Sequence, residues 1–230
     1  PVCYYGKKGG TRIVILGDSH ALHWMPALDL IGKAYNYEII PIAKVNCAFM
    51  DVKLYASRLG KSYTSCTKWR ANVVTKIAQL NPALVILSHT WYREEGKPNE
   101  LRPQYYADAV GRMLDKIPFP TLIFSDTPFG QNNIPTCLAR NRSNVAKCVV
   151  TRSAAYGNRG RVRDLLVAEQ RNLPIFDFTA ALCPGTKCAP IIDGRVVYHD
   201  HHHLTTTMSK YLATPLGAAL SQVIANLPPR

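Results

Sequence analysis

Arg12-Ile13-Val14-Ile15-Leu16, running directly into Gly17-Asp18-Ser19-His20, is the stretch on which the fold turns. Four apolar residues, three of them β-branched, predict a short strand covered on both faces. Gly-Asp-Ser then predicts a tight turn. Beyond it, Leu22, Met25, Leu28 and Ile31 recur at near-helical spacing, so a helix is expected over His20–Tyr35.

The same alternation continues along the chain. Strands are expected at Tyr37–Ile42, Ala83–Leu87, Thr121–Ser125 and Pro174–Phe178, with helices at Tyr63–Leu80, Leu101–Lys116 and Ser153–Asn172. A last helix is expected over Thr206–Ala225, interrupted near Pro215. Short, nearly all-apolar strands separated by helices predict a three-layer α/β/α sandwich around a mainly five-stranded parallel sheet. Right-handed crossovers bring the C-terminal ends of such strands to one edge, where ligands bind. Two insertions interrupt this plan, at Asn46–Ser62 and Pro128–Val150, and both are expected to be loops at that rim. Residues 11–230 are read as a single domain, and residues 1–10, rich in Gly and Lys, as linker from a preceding region.

Composition bounds the function. The chain has 230 residues, 47% of them hydrophobic and 19% charged, as in a folded globular protein. No run approaches the roughly 18 uncharged apolar residues that a membrane span requires. It begins at Pro1 with no signal-type segment, and so reads as part of something longer. Lys and Arg exceed Asp and Glu by 28 to 15, a formal charge of +13. The cations are scattered, with short groupings at Lys7-Lys8, Arg140–Arg142 and Arg159–Arg163. There is no zinc-finger spacing, RNP-like strand or continuous basic helix, which argues against specific nucleic-acid binding and for a surface facing an anionic envelope.

Seven cysteines fall into neighbouring pairs, Cys47 with Cys66, Cys137 with Cys148 and Cys183 with Cys188, and Cys3 is left over. None forms a CxxC, and no two pairs have zinc-ribbon spacing. Disulfides in an oxidising compartment are expected instead. Six cysteines allow 15 connectivities, of which nearest-neighbour pairing is the simplest. Each bridge would stabilise the fold by about 2–4 kcal/mol.

The chemistry is expected at the first turn. A serine where a strand passes into a helix has an exposed hydroxyl, and its own N–H at the helix start can face a developing oxyanion. Such a serine needs a base and a group to orient that base. Tyr198-His199-Asp200-His201-His202-His203-Leu204-Thr205 supplies both, since Asp200 and His203 are three residues apart and a carboxylate can meet Nδ1 while Nε2 faces the serine. No GxSxG elbow is present, which argues against an α/β-hydrolase. The structural alternative for Ser19 is a helix cap. For the histidine run the alternative is a metal site, but successive imidazoles converge poorly on one tetrahedral ion, so neither metal nor cofactor is expected. His201 and His202 are expected to be exposed loop residues, and His23 with Trp24 to be packing or rim.

Gly17-Asp18-Ser19-His20-Ala21-Leu22-His23-Trp24 after the first strand, with Asp200-His201-His202-His203-Leu204-Thr205 before the last helix, resembles the SGNH or GDSL-like hydrolases. The resemblance is nearest to the SGNH domains appended to membrane acyltransferase-3 proteins, and it extends through the segments around Cys47, Cys66–Trp69, Asn81–Ser88 and Cys183–Cys188. It implies a flavodoxin-like sandwich with Ser19 as nucleophile and Asp200 and His203 completing a triad. It implies O-acylation of an envelope glycan, extracytoplasmically, with the acyl group delivered by a membrane domain of the same chain. The alternatives are a carbohydrate O-acetyl esterase with the same triad and a non-catalytic glycan-binding module.

Two family features are missing. Many relatives carry a glycine in a second block and an asparagine in a GxND third block that help hold the oxyanion. Here the corresponding loops read Ala43-Lys44-Val45-Asn46-Cys47 and Ser88-His89-Thr90-Trp91. A backbone N–H near Asn46, and the side chains of Ser88 and His89, are the replacement candidates, while Trp91 and Arg93 are candidates for touching acyl group or acceptor.

Overall fold

A computed structural model describes residues 3–56, 60–92, 94–96, 102–130, 132–157 and 160–228. The chain opens with β1 (Tyr5–Gly6) and β2 (Thr11–Gly17), followed by α1 (Ser19–Leu22), α2 (Met25–Tyr35) and β3 (Tyr37–Ala43). The first insertion holds a small ribbon, β4 (Tyr55–Ala56) with β5 (Lys61–Ser62). Then come α3 (Thr64–Leu80), β6 (Leu84–Ser88), α4 (Pro103–Leu114) and β7 (Thr121–Phe124). The second insertion contains α5 (Ile134–Arg140) and a 3₁₀ turn at Val145–Cys148, and β8 (Val150–Thr151) comes after it. The remainder is α6 (Arg152–Tyr156), α7 (Gly160–Arg171), β9 (Ile175–Phe176), α8 (Thr179–Leu182), β10 (Lys187–Cys188), β11 (Ile191–Ile192), β12 (Arg195–Val196), α9 (Thr206–Tyr211) and α10 (Ala213–Ala225).

The central sheet has the order β1-β3-β2-β6-β7-β9. Its last five strands are parallel, and β1 is an antiparallel edge on β3, with Tyr5 opposite Ile39. Alternation along the strands divides the core in two. Val14, Leu16, Ile40, Val85, Leu87 and Ile123 pack with α3, α4 and α7. Ile13, Ile15, Ile39, Leu84, Ile86 and Phe124 pack with α2, α9 and α10 on the other face. This is the expected three-layer sandwich with a five-stranded parallel sheet.

Several boundaries differ from the sequence reading, for physical reasons. Part of the segment read as linker, Tyr5–Gly6, belongs to the sheet. The expected helix over His20–Tyr35 divides at His23–Trp24, because Pro26 has no N–H for the carbonyl of Leu22. Pro215 likewise cannot bond Tyr211, so the last helix divides at Leu212 rather than at the proline itself. The expected helix over Ser153–Asn172 is two helices, the first ending at Gly157 with φ of 47°. Strand β9 is only two residues long, a short edge of the kind that resists pairing with other chains.

The three nearest-neighbour cysteine pairs are disulfides: Cys47–Cys66, Cys137–Cys148 and Cys183–Cys188. The first ties the Asn46–Ser62 insertion to α3, the second closes the Pro128–Val150 insertion on itself, and Cys3 is free and exposed.

Gly17 closes β2 under tight constraint. Its φ is 156°, and a Cβ there would lie 1.7 Å from the carbonyl oxygen of Ser88 on the adjacent strand. Backbone cannot yield as a flexible side chain can, so Gly17→Ala is expected to cost about 3 kcal/mol. Gly9→Ala is the comparison: φ is 78° with nothing within 4 Å of the added carbon, so only the backbone penalty of about 1 kcal/mol applies. Urea unfolding of both variants checks this, and equal losses would contradict it.

Candidate active site

Ser19 opens α1 directly beyond the end of β2, at the edge where β3, β6 and β7 also finish. Asp18 caps the helix through its side chain, accepting from His20 N–H at 2.7 Å, and leaves the Ser19 hydroxyl free to face outward. The other oxygen of Asp18 accepts Thr90 N–H at 3.0 Å, tying the turn to the loop after β6. Burial raises the Asp18 pKa, against the opposing influence of the His20 charge and these two N–H groups.

The second half of the site is a turn between Tyr198 and Leu204, which face each other in an isolated bridge. His199 N–H donates to the His203 carbonyl at 3.0 Å and closes the turn. Thr205 caps α9 through Met208 N–H. Asp200 Oδ1 accepts the N–H groups of His202 and His203, both at 2.8 Å, which fixes the carboxylate before it meets any ring. The second insertion braces the turn from outside, with Gly130 N–H on the His201 carbonyl and Ile134 N–H on that of Asp200.

This scaffold brings the three residues together. His203 Nδ1 is 2.6 Å from Asp200 Oδ2, and His203 Nε2 is 2.8 Å from Ser19 Oγ. Burial favours an ionisable Asp200 staying neutral, but the N–H of His202, the ring of His203 and the N–H of His203 outweigh it and lower the pKa. A carboxylate at Nδ1 requires the proton there, so Nε2 is left as an acceptor for the serine proton. Burial also lowers the His203 pKa below 6.5, the Asp200 hydrogen bond opposing and the His20 charge assisting. A histidine acting as base at this position works only when neutral, so kcat/KM is expected to rise with pH on an acid limb whose midpoint lies below 6.5 and then level off. A pH-rate profile with a midpoint above 7 would contradict this.

The candidates around the serine occupy varied positions. Asn46 is exposed at the turn after β3, with φ of 58°. The Ser88 hydroxyl is buried and donates to the His20 carbonyl at 3.4 Å. His89 is buried with both ring nitrogens unpartnered, and burial holds its pKa well below the usual value. Trp91 packs edge-on against Tyr106 in the core, their ring centroids 4.7 Å apart, and Arg93 lies outside the described residues. His23 is buried against Trp24, as expected for packing.

His202 departs from the expectation of an exposed loop residue. It is half-buried, and its Nδ1 is 2.6 Å from Nε2 of His20, which is itself fully buried. His201 is exposed as expected. Behind His20 stands Asp126, a residue sequence reasoning passed over; its signal was its place directly after the fourth parallel strand, at the same edge as Ser19.

Nitrogens of His20, His202 and His203 lie within 4.8 Å of one another, as do ligand atoms of His199, Asp200 and His203. The His20–His202, His203–Asp200 and His203–Ser19 hydrogen bonds already engage nitrogens or oxygens of both groups, so a metal ion held by them would have to displace those bonds.

The flavodoxin-like strand order places the linked serine, histidine and aspartate at the C-terminal edge of the parallel strands, where ligands bind in open α/β sheets. The chain belongs to the family of SGNH domains fused to AT3 domains, whose model matches residues 1–217. Among solved structures it is similar to the periplasmic domain of a lipopolysaccharide acetyltransferase from Salmonella ser. Paratyphi A. That match has 18% identity and a TM-score of 0.73, covering 94% of this chain and 85% of that one. A candidate acylhydrolase from Bacteroides fragilis NCTC 9343 matches at 12% identity and a TM-score of 0.55, covering 96% and 91%. Identities this low establish a common fold. No curated protein sequence matches the chain.

Proposed function

We propose that this domain is a serine-dependent O-acyltransferase, moving an acyl group, most simply acetyl, onto a hydroxyl of a cell-envelope glycan through an acyl-enzyme on Ser19. The observation that carries the proposal is the continuous chain Asp200–His203–Ser19, with contacts of 2.6 and 2.8 Å. Ser19 Oγ attacks the carbonyl carbon of the acyl donor while His203 Nε2 takes its proton. The oxyanion forms at the start of α1, where the N–H of Ser19 makes no hydrogen bond among the described residues and can bind it. His203 returns the proton to the leaving group. An acceptor hydroxyl then gives its proton to His203, its oxygen attacks the acyl carbon, and Ser19 leaves as the hydroxyl.

The company the domain keeps favours transfer over hydrolysis. Membership in a family fused to AT3 domains supports a membrane acyltransferase domain of the same chain as the source of acyl groups. Three disulfides, and a structural neighbour that is a periplasmic domain, support an extracytoplasmic place. Among the described residues no helix is long and apolar enough to cross a membrane, so tethering would come from elsewhere in the chain. An anionic acceptor fits the charge of the second insertion. Residues 128–150 contain three Lys and Arg and no Asp or Glu, and all three, Arg140, Arg142 and Lys147, are exposed.

The test is product analysis after mixing the domain with an activated acetyl ester and short envelope oligosaccharides. Acetylated sugar formed through labelled Ser19 is expected. Release to water alone, whatever the acceptor, would make the domain an esterase, and absence of any adduct would make it a binding module.

A further inference from the structure

The triad uses Ser19, His203 and Asp200, yet a second carboxylate and two more imidazoles are assembled beside it. His20 Nδ1 lies 2.8 Å from Asp126 Oδ1, close although off the line of a straight hydrogen bond, and both side chains are buried. On its other side, His20 Nε2 is 2.6 Å from His202 Nδ1. Asp126 is held from several directions. Thr90 Oγ1 donates to its Oδ2 at 3.1 Å and Thr127 N–H to its Oδ1 at 3.0 Å. A Cβ on Gly160 would lie 2.2 Å from Oδ2, so the carboxylate fills the space that a larger residue would need. The outer ring, His202, packs against the His203 ring at a centroid distance of 3.9 Å and against Phe129 at 5.0 Å. Its remaining nitrogen, Nε2, has no hydrogen-bond partner among the described residues and is not sealed from solvent.

We infer that Asp126, His20 and His202 form a second carboxylate–imidazole chain, and that the Nε2–H of His202 binds the oxygen of the acceptor hydroxyl while that hydroxyl gives its proton to His203. The inference rests on the acyl-transfer role proposed above and supplies what that role lacks, a group that orients the acceptor. A hydroxyl oxygen that accepts one N–H and donates its own O–H to a second ring is fixed in direction as well as position. His202 is the binding group, and His20 and Asp126 position it.

The contacts set the proton order. A carboxylate beside Nδ1 of His20 places a proton there, and one further proton lies between His20 and His202. If His20 carries it, His202 must hold its own proton on Nε2 and is a donor toward the site. Charges facing His20 favour that arrangement: burial works against its protonation, but Asp126, Asp18 and Asp200 together raise its pKa. His23, His202 and His203 also surround it. Burial, then the charges of His20 and His203, lower the pKa of His202 to about 3, so it stays neutral.

Two measurements test this on the domain. Nitrogen NMR of ¹⁵N-histidine protein should show His202 protonated at Nε2 and bare at Nδ1, and Asp126→Asn should disturb that tautomer. For the kinetics, p-nitrophenyl acetate serves as donor and glycerol as acceptor hydroxyl. Asparagine at position 202 can still accept from His20 but reaches no further than Nδ1, whereas glutamine places an N–H near Nε2. His202→Asn is therefore expected to slow acyl passage from Ser19 to glycerol about tenfold, and His202→Gln to restore it to within about threefold. Unchanged transfer in His202→Asn, no recovery in His202→Gln, or a His202 protonated at Nδ1 would each overturn the inference. A parent protein that never acylates Ser19 would instead refute the covalent role, and with it any part for an acceptor, while the NMR result would still decide whether the second chain exists.

Discussion

Ser19→Ala is expected to fold as the parent does and to lose acyl transfer by about a millionfold, the scale seen when a nucleophile is removed from such a triad. Among the described residues the hydroxyl's hydrogen bond is with His203, at 2.8 Å. Helix capping belongs to Asp18, whose hydrogen bonds to His20 and Thr90 do not involve the Ser19 side chain. The stability change should therefore stay near about 1 kcal/mol, the net worth of one hydrogen bond. Residual activity of roughly a thousandfold over water would persist from oxyanion binding and positioning alone. Steady-state transfer and a thermal melt on the same sample separate the two effects. A variant that melts normally and still transfers at the parental rate would remove Ser19 from the chemistry.

Asp200→Asn is expected to lower turnover about ten-thousandfold with the backbone in place. Oδ1 of Asp200 accepts the N–H groups of His202 and His203, so the retained amide oxygen will keep that side. The amide NH₂ then faces His203 Nδ1, where the carboxylate oxygen stands at 2.6 Å. Two donors cannot meet, so the imidazole must carry its proton on Nε2 and can no longer receive one from Ser19. Losses confined to KM, or below about tenfold in kcat, would show that Asp200 serves only to shape the turn. The same logic distinguishes it from Asp126, whose replacement should disturb His202 rather than His203.

The sheet and the edge that carries the candidate site were legible because buried parallel strands leave short apolar runs, and the Arg12–Leu16 run ends in a Gly-Asp-Ser turn followed by helical spacing. The pairing of Asp200 with His203 was legible from a spacing of three. The cysteine pairs were legible because the partners of each lie close together along the chain. What sequence could not show depends on contacts between distant segments. Asp126 is a single aspartate after a strand, and only the fold brings it to His20. His202 looked like one more loop histidine because its burial comes from Phe129 and His20 in distant segments as well as from its neighbour His203. Helix breaks at His23–Trp24 and at Leu212 lie two to three residues ahead of their prolines, since the missing N–H is felt by the carbonyl four residues back. The contact of the Ser88 hydroxyl with the His20 carbonyl, at 3.4 Å, likewise joins segments far apart in the chain.

The central claim is that Ser19 carries the acyl group. Brief exposure of the domain to an activated acetyl ester, acid quenching and peptide mapping by mass spectrometry test it most directly. One acetyl group is expected, on the peptide containing Gly17-Asp18-Ser19-His20, absent from Ser19→Ala and discharged on adding a hydroxyl acceptor. Acetyl found on lysines or histidines alone, to the same extent in the parent and in Ser19→Ala, would contradict the account.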